Sequence, residues 1–387
     1  MSRREAPPPK KTVSAKAPAK PKPVGKPAAK ASALIALTAP PTSADVGRRA
    51  GVSRTTVSFV LNGVQNQGIS EATREKVLVA ARELGYEPHA AARSLVGGAT
   101  GTVGLVVPQT AHLYVDAFLA QVLASVNDEC HRHGLKLLID SSEGAGREPG
   151  GFTQMARSRR IDGLIMAHPR SAEMEHLQRL RDQGVPLVTF GTAVPGGTAL
   201  QAIADDTAEL SQGVVRHLLG LGHRRIAFVN YARPEYLSVN QREQGWRVAL
   251  KDAGVKVGKN WVAYADISAQ SGYEAAQELL SRGLKFTALF AGNDTIAFGA
   301  LRALHEAGLR VPQDVAVVGY DDIPMAPFAS PPLTSVRTDP VGHGRQAVQM
   351  LLAQLRGPAA GVVIEPAEPP RLVVRESCGA TLDLPRG

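Results

Sequence analysis

Cysteine is nearly absent from this 387-residue chain, whose only two are Cys130 and Cys378. Two thiols so far apart build no disulfide framework, and they fit a reducing compartment. Long apolar runs are missing as well. No stretch reaches the ~18 residues a membrane span needs. The segment Ala31–Leu37 after Lys30 is too short and Ala-rich for an export leader, so a cytoplasmic protein is expected. Catalytic signatures are also lacking: there is no GxSxG elbow, Walker loop, HExxH or paired-cysteine pattern. Gly98, Gly101 and Gly104 do not make a dinucleotide fingerprint, because they precede a strand pattern. His131 and His133 are spaced off any shared helical face and read as surface histidines. No catalytic residue, metal site or cofactor is expected, and the chain reads as a non-enzyme.

Charge is scarce outside one region. The formal net charge is +9, but residues 1–41 hold nine Lys or Arg against one Glu. Residues 42–98 hold seven against five, which leaves the remainder close to neutral. The basic character therefore belongs to a tail and says nothing about the folded parts. Residues 1–41 are Lys, Pro and Ala, with prolines that forbid a continuous helix, so disorder is expected. The tail reads either as an electrostatic arm adding sequence-blind DNA affinity, or as a passive extension or an early start codon.

What is present is GVSRTTVSFVLNG, from Gly51 to Gly63. Gly51 permits the positive φ of a tight interhelical turn, and Val52 fills the angle between helices. Ser53 is a good N-cap. Val57, Val60 and Leu61 make one apolar stripe, leaving Arg54, Thr55, Thr56 and Ser58 off it. A short helix with a polar nose and a buried back suits the DNA major groove. A first helix opens on the capping-box pattern Thr42-Ser43-Ala44-Asp45, with Gly47 an oddity costing ~1 kcal/mol against Ala. A third starts at Ser70, carries Leu78, Ala81 and Leu84 inward, and stops at Gly85.

Beyond residue 101 the chain alternates. Strand runs are read at 102–108, 135–140, 162–167, 186–191, 224–230, 287–294, 314–322 and 333–339. Helical stretches fall near 117–133, 173–183, 208–220, 239–253, 272–281, 295–307 and 341–355. Continuous apolar strands separated by helices predict parallel sheets covered on both faces, and this length predicts two lobes. Ligands of such sheets sit at the strands' carboxyl ends, where Asp206, Asn293, Asp294 and Asp321 fall.

The segment from ADVGRRAGVSRTTVSFVLNG to HAAARSL resembles the N-terminal module of the lactose-repressor (LacI/GalR) family of bacterial transcription regulators. The motifs LGHRRIAF, NQREQGWRVAL, AGNDTIAFGALRAL and VVGYDDIPMAPFASPPLTSVRTD resemble the same family's effector-binding core. The resemblance implies an all-α helix-turn-helix (lambda-repressor-like) head plus an α/β two-lobed, periplasmic-binding-protein-like (type I) core. The domains expected are a tail at 1–41, a head at 42–86, a hinge at 87–98, a core at 99–378 and a short tail at 379–387.

The resemblance also implies roles. Ser53 caps, Arg54 and Thr55 read bases, and Arg54 forks onto guanine. Thr56, Ser58 and Asn62 would contact phosphates. Phe59 replaces the arginine of many relatives, and either packs on a thymine methyl or is partly buried. Leu95 of the hinge would wedge into the minor groove, its bland alternative being contact with a dimer mate. Val96 replaces a frequent basic residue. In the core, Phe118, Asp206, Arg242, Asn293 and Asp321 match family effector contacts, although a strand-end Asp often merely caps the next helix. Ile267 stands where many relatives have a stacking aromatic, and the Leu113–Phe118 segment departs from the usual Asn-Pro-Phe-Phe. The expected protein is a homodimeric regulator of a double-stranded operator, acting as a repressor and responding to a small effector. A sugar is the first reading and a purine-like or nucleoside molecule the alternative. A solute-binding protein would leave residues 42–96 idle.

Overall fold

The computed structural model describes residues 41–64, 67–86, 99–142, 150–191 and 201–380. The basic tail before Pro41, the hinge with Leu95 and Val96, and the end of the chain beyond Ala380 lie outside the described residues. The chain divides into two compact units, Met1–Pro88 and His89–Gly387.

The first unit holds α1 (Ser43–Ala50), α2 (Arg54–Leu61) and α3 (Glu71–Leu84). The capping box at Thr42 is formed, with the Thr42 amide donating to Asp45 at 2.7 Å. Gly51 takes φ +69° and ends α1. Gly47 proves to be required by contact: a Cβ there would lie 2.9 Å from the Val52 carbonyl oxygen. The core is Val46, Val57, Val60, Val77, Ala80 and Ala81, with Val52, Leu61 and Leu84 packed against it. Ala81 and Leu84 of the expected α3 stripe are inward, and Leu78 is not. Val77 takes the inward place, and Leu78 is 40% exposed.

The second unit opens with β1 (Thr102–Val107), α4 (Ala117–Arg132), β2 (Lys136–Ser141), α5 (Thr153–Arg157) and β3 (Gly163–Ala167). It continues through α6 (Met174–Asp182), β4 (Leu187–Phe190) and β5 (Gln201–Ile203). These five strands form one parallel sheet, in the order β2-β1-β3-β4-β5. The chain then crosses to a second sheet. There follow α7 (Thr207–Gly220), β6 (Ile226–Asn230), α8 (Leu237–Asp252), β7 (Val262–Tyr264) and α9 (Ala269–Ser281). Next come β8 (Ala288–Ala291), α10 (Asp294–Glu306), β9 (Ala316–Asp321) and β10 (Thr334–Arg337). Helix α11 (Pro340–Arg356) returns to the first sheet, and β11 (Arg371–Val373) closes the second, antiparallel to β10. The second order is β11-β10-β9-β8-β6-β7.

Alternation along the strands explains the layers. Val103, Leu105 and Val107 face α4 and α11, meeting Leu119, Val122, Val348 and Leu351. Val106 points the other way, toward Phe152, Leu177 and Leu180. In the second lobe Phe228 and Phe290 bury against Trp246 of α8, their rings 5.0–5.8 Å apart. Each such side chain contributes roughly 1.5–3 kcal/mol by leaving water. All eight expected strands are present. The three unexpected ones, β5, β7 and β11, are three-residue edge strands. An edge strand needs no long apolar run, so periodicity does not reveal it.

Candidate ligand cleft and nucleic-acid interface

The carboxyl ends of both sheets face one cleft, as expected where parallel strands end. It encloses about 510 Å³ of empty space counted to its open mouth. The first lobe supplies Asp116 and Phe118 from the start of α4, His168 after β3, and Phe190 from β4. The second supplies Tyr231, Arg242 of α8, Asn293, Tyr320 and Asp321. Asp205, Thr338 and His343 line it at or beside two of the three places where the chain crosses between lobes.

Arg242 organises the second wall. It is 7% exposed, and its guanidinium lies over two aromatic faces, 3.7 Å from the Tyr320 centroid and 4.5 Å from that of Tyr231. Nη1 donates to the Gly292 carbonyl, while Nε is buried without a partner. On the first wall Phe118 stacks against Phe190 at 6.0 Å, and His168 meets the Phe190 ring edge-on at 5.6 Å. Burial, with Arg242 nearby, drives His168 down to about 4, so its ring is neutral.

Three carboxyl groups share the space. Burial pushes Asp116 up to about 6, against the opposing pull of the Leu119 and Phe118 amides that it accepts from and of Arg242. Burial also raises Asp321 well above the usual carboxylate range, with Arg242 opposing and Asp116 reinforcing. Asp205 lies 3.4 Å from His343 Nε2. Asp321 and Asp322 have φ of +101° and +51°, a strained pair for non-glycine residues. Buried Asp294 holds that turn. It accepts from Ser335 Oγ at 2.6 Å and from the Ile323 amide at 2.8 Å, while Ser335 Oγ accepts from the Asp322 amide. Asp322 is itself clamped by Arg337 and Arg375, each at 2.7 Å.

Of the expected effector contacts, Phe118, Arg242, Asn293 and Asp321 come together in the cleft, although Asn293 also caps α10 through the Ile296 amide. Asp206 does not. It is exposed and accepts from the Glu209 amide at 2.9 Å as the cap of α7, while its neighbour Asp205 faces the cleft. Sequence reasoning missed Asp116, His168, Asp205, Tyr231, Tyr320, Thr338 and His343 as cleft residues. Most directly end or follow a strand, so strand-end position is the signal that finds them. Ile267, at the place of an absent aromatic, is buried in the core of the second lobe.

In the head, Ser53 caps α2 through the Thr56 amide at 3.1 Å, and Ser53 Oγ also meets Thr56 Oγ1 at 2.9 Å. Arg54 and Thr55 are exposed at the helix start. Arg54 Nε donates to Ser43 Oγ at 3.0 Å, which steadies its guanidinium beside α1. Ser58 is half-buried, and exposed Asn62 donates to its Oγ at 3.2 Å. Phe59 is half-buried yet takes no place in the head's core. The cap, the exposed basic and hydroxyl side chains and the buried stripe together have the form that reading a major groove requires.

Known proteins divide the chain the same way. Residues 42–89 match the family described as bacterial regulatory proteins, lacI family, and residues 215–378 match a periplasmic binding protein-like domain. The HTH-type transcriptional repressor PurR of Vibrio vulnificus is 33% identical over 317 residues, 81% of this chain and 92% of that protein. Its counterpart in Photobacterium profundum is 31% identical over the same shares. A crystal structure of the lac repressor dimer bound to operator and the anti-inducer ONPF is similar with a TM-score of 0.73 at 29% identity. That likeness covers 88% of this chain and 99% of the repressor chain. A complex of the transcriptional regulator CelR with cellobiose has a TM-score of 0.62 at 32% identity, covering 87% and 99%. The chain belongs to the LacI family of bacterial regulatory proteins and is a DNA-binding transcription regulator with an effector-binding domain.

Proposed function

We propose that this regulator binds a pseudo-palindromic operator as a homodimer and that a sugar, held between the lobes, sets its affinity for that operator. The arrangement of Arg242 beneath Tyr231 and Tyr320, beside Asp321, carries the effector reading. Carboxylates accept hydroxyl hydrogens, a guanidinium edge donates, and the faces of Phe118 and Phe190 suit the C–H side of a sugar ring. The similar chain of the CelR–cellobiose complex supports a saccharide. The purine reading keeps one supporting observation, the stacked Phe118–Phe190 pair with His168, which would accommodate a flat ring.

Arg54 and Thr55 read base edges, Thr56, Ser58 and Asn62 fix register on phosphates, and Phe59 meets a thymine methyl. Leu95, in a hinge at 87–98, wedges into the minor groove. The lac repressor dimer on its operator supports two-fold binding, in which palindromic half-sites mirror the protein's symmetry. Regulation of transcription makes the cytoplasm the place of action. The effector acts by favouring one angle between the lobes, which requires different affinities for the two states.

Calorimetry of the whole protein with sugars and purine bases, repeated on Asp321→Ala, tests the effector reading. Loss of sugar binding in the variant is expected, and undiminished affinity removes Asp321 from the site. A gel-shift titration against operator and random duplex tests the DNA reading, and equal affinities at physiological salt would contradict it.

A further inference from the structure

We propose that the cleft is built for an uncharged, polyhydroxylated effector and excludes phosphate esters, with Thr338 and Asp205 gripping that effector at the crossings between lobes. This rests on the effector reading above and narrows its chemical class.

The cleft's ionisable side chains are mostly acidic. Asp116, Asp205 and Asp321 line it, while Arg242 is the one lysine or arginine on its walls among the described residues. That single arginine already faces Asp116 and Asp321, whose carboxyl groups it draws toward the charged form. Nη1 is committed to the Gly292 carbonyl and the rings of Tyr231 and Tyr320 lie against the guanidinium, which leaves one in-plane edge, Nε with Nη2, for a ligand. His168, the neutral ring on the opposite wall, adds no cation.

A phosphate can instead be held by the open amides of a helix N-terminus. Here side chains of the chain itself occupy part of that set. Asp116 accepts from the Phe118 and Leu119 amides of α4, Asp206 from that of Glu209 in α7, and Asn293 from that of Ile296 in α10. Each of the three helix starts thus carries a capping side chain.

Two polar atoms in side chains at least nine-tenths buried remain unsatisfied on the cleft wall: Arg242 Nε and Thr338 Oγ1, whose residues are 7% and 9% exposed. Buried polar groups without partners are costly, and both suit the oxygen of a hydroxyl group. Thr338 lies between β10 and α11, and Asp205 between β5 and α7. A polyol bonded to both would tie two of the chain crossings together.

Isothermal calorimetry on the full chain decides the matter. The probes are glucose, galactose, ribose and cellobiose, then glucose 6-phosphate, galactose 1-phosphate, ribose 5-phosphate and inorganic phosphate, with adenine and guanine as purine controls. At least one neutral sugar should bind, and its phosphate ester should bind at least about 100-fold more weakly through like-charge juxtaposition. Thr338→Val should weaken that sugar about 10-fold. Asp205→Asn should weaken the sugar and narrow its advantage over the ester. A phosphate ester that binds as tightly as its sugar, silence from all four neutral sugars, or binding of purines alone would overturn the proposal. If the ester binds and Arg242→Gln abolishes it, the cleft reading survives and only the charge class falls. If a sugar binds with affinity indifferent to both Arg242→Gln and Asp321→Asn, the cleft reading itself falls.

Discussion

Arg242 shows how one residue's chemistry depends on what surrounds it. Its guanidinium lies over the rings of both Tyr231 and Tyr320, so charge, flatness and reach are all used. Lysine offers charge without the plane or the fork. Arg242→Lys should therefore lose effector affinity by about 1–3 kcal/mol, as for other charge-assisted bonds, read by calorimetry with the bound sugar. The motif around Arg242 made its place in the cleft legible in sequence, whereas its two tyrosine partners come from distant strand ends and no local pattern links them. Gly47 carries the opposite lesson. Helix propensity predicts that alanine there gains ~1 kcal/mol, but the Val52 carbonyl 2.9 Å from any Cβ predicts a loss. Gly47→Ala should destabilise the head by about 1–3 kcal/mol, as overpacking does, and reduce operator binding on warming. A stabilised head would contradict the close approach seen between α1 and the turn.

At the scale of elements, α2 joins an apolar stripe and an exposed polar edge in eight residues, with Ser53 as its cap. Ser53→Ala should cost about 1 kcal/mol of helix stability, because Oγ is the acceptor for the Thr56 amide. Arg54→Ala should weaken operator binding by about 1–3 kcal/mol and relax preference at one base pair, measured against single-base operator variants. Uniform weakening on every sequence would make Arg54 a phosphate contact. The β9–β10 turn has its own signature. Burial lifts Asp294 to about 7 from 3.8, so the folded chain keeps a proton that the unfolded chain releases. This contribution to stability is full in acid and lost as pH rises from about 4 to 7. His168, lowered from 6.5 to about 4, acts with the opposite sign across roughly 4 to 6.5. Asp294→Asn keeps the acceptor for the Ile323 amide while removing the titration. Relative to the parent, the variant should gain stability as pH rises from about 4 to 7 in urea unfolding. A pH-independent difference would contradict a buried proton on Asp294. None of this turn was legible beforehand except as a row of acidic strand-end residues, since clamping by Ser335, Arg337 and Arg375 is assembled by β10 and the C-terminal segment.

Across the core, the alternation of apolar strands with helices was enough to predict two parallel sheets, because buried strands must be continuously apolar. Edge strands and the return of α11 to the first sheet were not visible, since neither leaves a periodic trace. Those crossings place Asp205, Thr338 and His343 where the lobes meet. Contacts between the lobes also bridge the cleft's side: the Ser171 amide donates to the Glu235 carbonyl at 3.1 Å, and Thr295 Oγ1 to the Val115 carbonyl at 3.5 Å. A ligand that strengthens or opens this arrangement changes the lobe angle, which is the coordinate an effector must bias. Removing residues 1–98 should abolish sequence-specific duplex binding while leaving sugar binding intact, because the core buries its own apolar layers. The most direct test is operator affinity of the whole protein, by fluorescence anisotropy, with and without the sugar that calorimetry identifies. The account predicts a change of about 5- to 150-fold in the dissociation constant, the usual range of allosteric coupling, and its loss in Asp321→Asn. An operator affinity indifferent to the bound sugar would contradict it.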